Sequence, residues 1–148
     1  MPSLFPLKLA LLFFWAAWFS IVLATNVAGG LKASGRLPPS WKFASKNYEM
    51  VCKAVSLYGA AAWVPRLLFM GVLTWQLVAA LLFWGAFAVS GGAGVLDMAL
   101  VNAACAAGIL LWAGFMIADE ATIKYAMEQP HELLFVAQLA TLGVMHLA

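Results

Sequence analysis

Residues 67–88 read LLFMGVLTWQLVAALLFWGAFA and include no Asp, Glu, Lys, Arg or His. At ~1.5 Å per residue, a helix of this length would extend about 33 Å, which matches the ~30 Å hydrocarbon thickness of a bilayer. Pro65 and Arg66 come just before it, where proline suits the first turn of a helix and arginine can reach lipid headgroups. The stretch therefore predicts a membrane-spanning helix.

Further apolar stretches give the same prediction at residues 7–24, 96–118 and 132–148. A cleaved signal peptide is the alternative for the first of them, but its Phe and Trp side chains are bulky for that role. Across the 148 residues, 66% are hydrophobic and 9% are charged, so the chain lacks the charged surface that a soluble domain needs. We predict an all-α fold, with one integral membrane domain over residues 1–148 built as a bundle of four transmembrane helices.

Residues 26–66, between the first two spans, have a different composition. Glycine and proline pairs predict an interfacial loop with a turn at Gly29-Gly30. From Asn47, a predicted cap, to Trp63, apolar residues recur at helical spacing and indicate an additional amphipathic helix in the interface. Six of the eight basic residues lie in this region, and we expect them to contact lipid headgroups: Lys32, Arg36, Lys42, Lys46, Lys53 and Arg66.

The distribution of basic residues also predicts the orientation. With four spans, the first and third loops share a face, and Lys124 in the third loop adds to the six residues of the first, whereas Lys8 lies on the other face. The positive-inside rule then places both loops in the cytoplasm and both termini in the periplasm of a bacterial inner membrane. A net charge of +2 does not favour binding to nucleic acid.

Small residues recur on the third span at a spacing of four, at Ala99, Ala103 and Ala107, with Gly108 beside them. This spacing lets helix backbones approach closely, either within the chain or against a partner subunit.

Three amide side chains lie within the spans, at Gln76, Asn102 and Gln138. By the rise of a helix, Gln76 and Gln138 fall at a similar depth and could pair, whereas Asn102 lies nearer the outer face. Such amides serve as structural hydrogen-bonding groups, bind the carbonyl of a quinone or pigment, or line a polar path in an oligomeric carrier or channel.

Aromatic and histidine side chains are the candidates for binding a cofactor. Trp15 and Trp18 lie near the middle of span one, and their indole N–H groups need acceptors from neighbouring spans, a lipid or a quinone. His131 and His146 are fifteen residues apart on one span, which is ~22 Å along a helix, so they cannot hold one haem between them in a monomer. A single histidine could still bind a haem iron or a chlorophyll magnesium.

The remaining chemical signals are weak. Asp97, Asp119, Glu120 and Glu132 fall at predicted span ends, where water can hydrate them, which argues against an ion pump. The chain contains no HExxH, CxxC, GxSxG or phosphate-binding loop, and its two cysteines lack metal-ligand spacing. We therefore predict no catalytic residue, no metal site and no enzyme activity for the isolated chain.

Short motifs carry a resemblance to a protein family. They are Thr25-Asn26 near the end of span one, Trp41-x-Phe43 ahead of span two, and Leu111-Trp112-x-Gly114-Phe115 running into Glu120. In these motifs and its four-span plan the chain resembles a family of predicted small bacterial integral membrane proteins with no assigned function. Its first loop is more basic than is typical of that family. The resemblance implies a membrane-embedded fold and carries over no functional residue.

These observations together predict a small accessory or structural subunit of a larger membrane complex, which stabilises that complex and its lipid or quinone surroundings. Membrane lipids and other integral membrane subunits are the expected partners, and no cofactor is required, although lipid or quinone could bind. One alternative is a subunit that contacts quinone, pigment or haem in an electron-transfer or photosynthetic complex. A second alternative is a small carrier or channel.

Overall fold

The computed structural model describes residues 4–123 and 125–147, and every regular element in that part of the chain is a helix. The five helices are α1 (Phe5–Ala33), α2 (Asn47–Ser56), α3 (Val64–Ala93), α4 (Met98–Ala121) and α5 (Tyr125–Met145). The prediction of an all-α fold is confirmed for the described residues. Lys124 and Ala148, which enter the predicted orientation and the predicted end of span four, lie outside them.

Three helices, α1, α3 and α4, are long and apolar enough to cross a membrane. They coincide with predicted spans one to three, although α1 and α3 extend beyond the predicted limits at both ends. The helix α5 does not meet the same length and composition criteria in the part of the chain described. It contains Pro130 and a polar first turn with Glu128, so its crossing of the membrane stays a prediction.

The predicted turn at Gly29-Gly30 is wrong, because α1 continues as a helix through both glycines to Ala33. The reason is close packing. A Cβ added at Gly29 would lie 2.5 Å from the backbone oxygen of Ser45, so the absence of a side chain lets the loop backbone rest on the helix. Glycine is present here for close approach and does not interrupt the helix.

The second helix is shorter than predicted. It ends at Ser56 instead of Trp63, because Gly59 adopts a positive φ of +59° and the chain turns before Pro65 enters the first turn of α3. Asn47 is the first residue of α2 but does not cap it, since its side-chain amide bonds to Asn26. The segment is therefore a helix separate from α3.

The long helix α1 packs against α3 and α5, and α4 packs against α3 and α5, so that each helix is antiparallel to the two it contacts. We call the end of the bundle that carries residues 34–63 the basic end. At the opposite end, the ammonium group of Lys8 on α1 donates a hydrogen bond to the carbonyl of Leu147 after α5. The same end holds the α3–α4 turn, where Asp97 caps α4 by accepting from the Leu100 N–H at 3.0 Å.

A column of aromatic rings crosses the core and takes one ring from each long helix. His131 on α5 stacks on Trp112 of α4 at a centroid distance of 6.3 Å, and Trp112 stacks on Phe19 of α1 at 5.9 Å. Phe19 in turn stacks on Phe83 of α3 at 5.7 Å and 15°. Such pairs contribute ~0.5–1.5 kcal/mol each beyond the burial of their area. The column therefore helps to determine which helices become neighbours.

Candidate functional site

The most connected polar group in the bundle is the amide of Asn26, which is 1% exposed. Its Nδ2 donates to Oε1 of Gln76 on α3 at 3.0 Å. Its Oδ1 accepts from the Ser45 hydroxyl at 2.6 Å and from Nδ2 of Asn47 at 2.8 Å. One side chain of α1 thus joins α3, the basic loop and the start of α2. We call Asn26, Ser45, Asn47 and Gln76 the amide cluster.

The amide cluster corrects the predicted pairing of Gln76 with Gln138. Gln76 is used by Asn26, whereas the buried amide of Gln138 has no hydrogen-bond partner among the described residues. Gln138 instead packs on Gly108 of α4, where an added Cβ would overlap its carboxamide. In the sequence, Asn26 was noted only within the Thr25-Asn26 motif and was not predicted to form hydrogen bonds between helices, although an asparagine in an apolar stretch is the signal that could have identified it.

The acidic residue Asp119 was predicted to lie at a hydrated span end, and this prediction is wrong. It is buried rather than hydrated, and its Oδ2 lies 2.5 Å from Nδ1 of His131. The imidazole of His131 stacks on Phe115 at 4.9 Å, and Asp119 is its hydrogen-bond partner among the described residues. A carboxylate at Nδ1 sets the tautomer and direction of a histidine ring, which is the arrangement that histidine ligands share.

The other predicted cofactor residues have mostly internal roles. Nε1 of Trp15 donates to the hydroxyl of Thr141 on α5 at 3.0 Å, and His146 lies 2.9 Å from Oδ1 of Asn102. The indole nitrogen of Trp18 is buried and lacks an acceptor in the described part of the chain. The structure therefore does not bring the five candidates together at one site.

The small residues of α4 divide between two faces. Ala104, Ala107 and Gly108 are buried against the other helices. The outward face of α4 instead carries exposed small residues, and we call it the small-residue face: Ala99, Ala103, Ala106 and Gly114. The exposed Leu110 lies on the same face between Ala106 and Gly114, so the uninterrupted small stretch is the first two turns. Asn102 is exposed beside this face. Of the predicted packing residues, Ala99 and Ala103 thus do not contribute to the core of this chain.

A lateral furrow of about 490 Å³ runs between α1 and α3 on the outside of the bundle. Small residues form its floor and larger apolar residues its walls, among them Ala24, Ala28, Ala80, Leu23, Leu81 and Trp84. A second, smaller cavity of about 340 Å³ lies between α2 and the start of α3, beside Tyr48, Cys52 and Arg66.

The predicted headgroup residues lie around the basic end. Lys32 is half-buried and donates from Nζ to the carbonyl of Trp41 at 3.0 Å, which anchors the loop. The other members of the set are exposed: Arg36, Lys42, Lys46, Lys53 and Arg66. No group of three His, Cys, Asp or Glu residues that could hold a metal ion occurs within residues 4–123 and 125–147.

A scan against protein-family models, a search of curated proteins and a search of solved structures each returned no match. The resemblance to a family of small bacterial membrane proteins therefore stays a prediction.

Proposed function

We propose that this protein is a small accessory subunit that packs laterally against a larger membrane complex. The observation that carries the proposal is the small-residue face of α4. In lipid, helices associate through close backbone contact and dispersion, which small side chains permit, because there is little hydrophobic drive between helices. Ala99, Ala103 and Ala106 leave such a face open on the outside of the bundle. A helix of a partner subunit could approach α4 there.

We further infer that α5 is a fourth span. It is less apolar than the other long helices, but three of the polar side chains in its segment, His131, Gln138 and His146, contact α4. His131 meets Asp119 near the basic end, and His146 meets Asn102 near the opposite end, ~22 Å away along the helix. Hydrogen bonds between the two helices lower the cost of carrying these groups across hydrocarbon. Four spans put both termini on one side of the membrane. The basic loop favours the cytoplasmic side, so the termini would lie in the periplasm of a bacterial inner membrane.

Partner capture tests the subunit proposal. The tagged full-length chain would be purified from its native membranes in a gentle detergent and the co-purifying proteins identified by mass spectrometry. We expect a stoichiometric integral membrane partner that Ala103→Phe releases, because the large ring separates the helix backbones. Ala88→Phe, at an exposed alanine of α3, is the matched control and should retain the partner. A monodisperse wild-type chain recovered alone would reject the proposal.

A second candidate function, contact with a quinone or porphyrin, is supported by one observation. His131 is oriented by Asp119 and stacked between aromatic groups, and its Nε2 accepts or donates no hydrogen bond within the described residues. A ring in that position could meet a quinone carbonyl or bind a porphyrin metal. Absorption spectra and lipid extracts of the wild-type complex, compared with those of His131→Leu, distinguish this candidate, since an unchanged absorbance and quinone content would count against it.

A further inference from the structure

We propose that the lateral furrow between α1 and α3 holds one acyl chain of an anionic phospholipid, and that the guanidinium groups of Arg36 and Arg66 bind its phosphate at the basic end. This goes beyond the proposed function, and it does not depend on a partner subunit. The proposal follows from the length, width and closure of the furrow and from the charges at its open end.

The furrow has the length of one bilayer leaflet. Along α1 it extends from Ser20 to Leu31, which are eleven residues apart and therefore separated by ~16 Å. That is about half of the ~30 Å hydrocarbon thickness. It begins near the middle of α1 and ends at the basic end. A chain lying in it would extend from the headgroup region to the bilayer centre.

Aromatic side chains close the other half of the same seam. The indole Nε1 of Trp84 donates to the Ser20 hydroxyl at 3.0 Å, which bridges α3 and α1 at the inner end of the furrow. Beyond this bridge, Phe13 packs on Trp84 and Phe87 at centroid distances of 5.7 and 5.6 Å. The α1–α3 seam is thus filled toward the opposite end and open toward the basic end, so an occupant would lie in the half of the seam next to the basic end.

The furrow is apolar and lies along the contact between two helices. Its volume of about 490 Å³ is spread over ~16 Å of helix length, which leaves room for one extended hydrocarbon chain. Ala24, Ala28 and Ala80 provide the depth. A single hydrocarbon chain therefore matches both the shape and the apolar character of the furrow.

Two arginines lie beyond the open end of the furrow, toward the basic end of the bundle. The N–H of Arg36 donates to the carbonyl of Leu31 at 2.9 Å, so Arg36 follows directly on the last furrow residue of α1. Arg66, which also borders the second cavity, precedes Leu77 of the furrow wall by eleven residues. That is ~3 helical turns, so Arg66 lies on the same side of α3 and ~16 Å further toward the basic end. Both residues are exposed, and neither guanidinium has a bonding partner among the described residues. Arginine binds phosphate oxygens in a bidentate manner, which fits a phospholipid headgroup.

Native mass spectrometry of the full-length chain in detergent tests the site. Titrations would compare dioleoyl phosphatidylglycerol with dioleoyl phosphatidylcholine, which has the same chains but a neutral headgroup. We expect one tightly retained phosphatidylglycerol per chain and weaker retention of phosphatidylcholine. Arg36→Gln and Arg66→Gln should each lower the affinity for phosphatidylglycerol about fivefold, and the double variant should lower it about 25-fold. The reason is that a basic residue near an anionic headgroup contributes ~1 kcal/mol to binding.

A packing variant tests the furrow separately from its charges. Ala24→Phe should expel both lipids, whereas Ala88→Phe places the same ring on α3 outside the furrow and should leave binding unchanged. Equal retention of the two lipids by the wild type, or unchanged phosphatidylglycerol binding by Ala24→Phe, would overturn the proposal. So would a wild-type dimer that Ala24→Phe dissociates, because the furrow would then be a self-association surface. Because lipid binding is measured on the isolated chain, its outcome is independent of the partner-capture experiment.

Discussion

Removal of the Asn26 side chain tests whether one buried amide attaches the basic loop to the bundle. In Asn26→Leu, the Oε1 of Gln76 loses its donor, and Ser45 and Asn47 lose their common acceptor. Interhelical hydrogen bonds in membranes are worth ~0.6 kcal/mol on average and at most ~1.7. Three such bonds amount to about 2 kcal/mol, and leaving Gln76 buried without a partner adds ~1–3 kcal/mol. We therefore expect a loss of about 3–5 kcal/mol in the free energy of unfolding.

Unfolding in mixed detergent micelles, followed by tryptophan fluorescence, measures that loss. Asn102→Leu is the matched control, since Asn102 is exposed and makes one side-chain hydrogen bond, to His146, so it should lose less than 1 kcal/mol, taking ~0.6 as typical. Limited proteolysis gives a local readout. Trypsin should cut faster after Lys42, an exposed loop residue, in Asn26→Leu but not in Asn102→Leu. Equal stabilities and equal cleavage rates for the two variants would refute the role assigned to Asn26.

Two further predictions concern helix contacts. Gly29→Ala should displace the loop and raise tryptic cleavage within it, because the added Cβ would meet the backbone oxygen of Ser45. Gly71→Ala, the control, has open space around its Cβ and should be neutral or stabilise α3 by up to ~1 kcal/mol. Identical cleavage of the two variants would contradict this prediction. Trp15→Phe should lower the free energy of unfolding in micelles by about 1 kcal/mol through loss of the hydrogen bond to Thr141. In a chain that already carries Thr141→Val, the same substitution should lower it clearly less. Additive losses in the double variant would show that the bond does not couple α1 to α5.

The spans illustrate what can be predicted from composition. Residues 67–88 lie within α3 because a stretch without charge and of this length has few alternatives to a membrane helix. The ends of helices were predicted less well. Apolar spacing continued past Ser56, but Gly59 stops α2 through its positive φ. Conversely, Gly29 was predicted to turn the chain, but it lies within α1. Its missing side chain lets the backbone of Ser45, sixteen residues further along the chain, rest against the helix.

The polar contacts show a second limit. Depth along a helix can be counted from the sequence, and on that basis Gln76 and Gln138 were expected to pair. Rotation about the helix axis also decides partners, and it depends on how the rings and small residues of all the helices pack. Gln76 therefore meets Asn26, fifty residues away, and Gln138 lies against Gly108. The pair of Asp119 with His131 arises in the same way, since α4 and α5 pack antiparallel and bring both residues to the basic end.

The sequence by itself determined that three long apolar helices form and that the cationic residues gather at one end, because the length of an apolar stretch and the cost of moving charge into hydrocarbon are local properties of the chain. Only the tertiary structure decided which face of each helix is turned inward. That choice buried Asn26 and Asp119, left Ala99 and Ala103 on the outside, and opened a furrow on one half of the α1–α3 seam. Its physical reason is that side chains from several helices must fill one volume together, so the environment of each residue depends on residues far away in the chain.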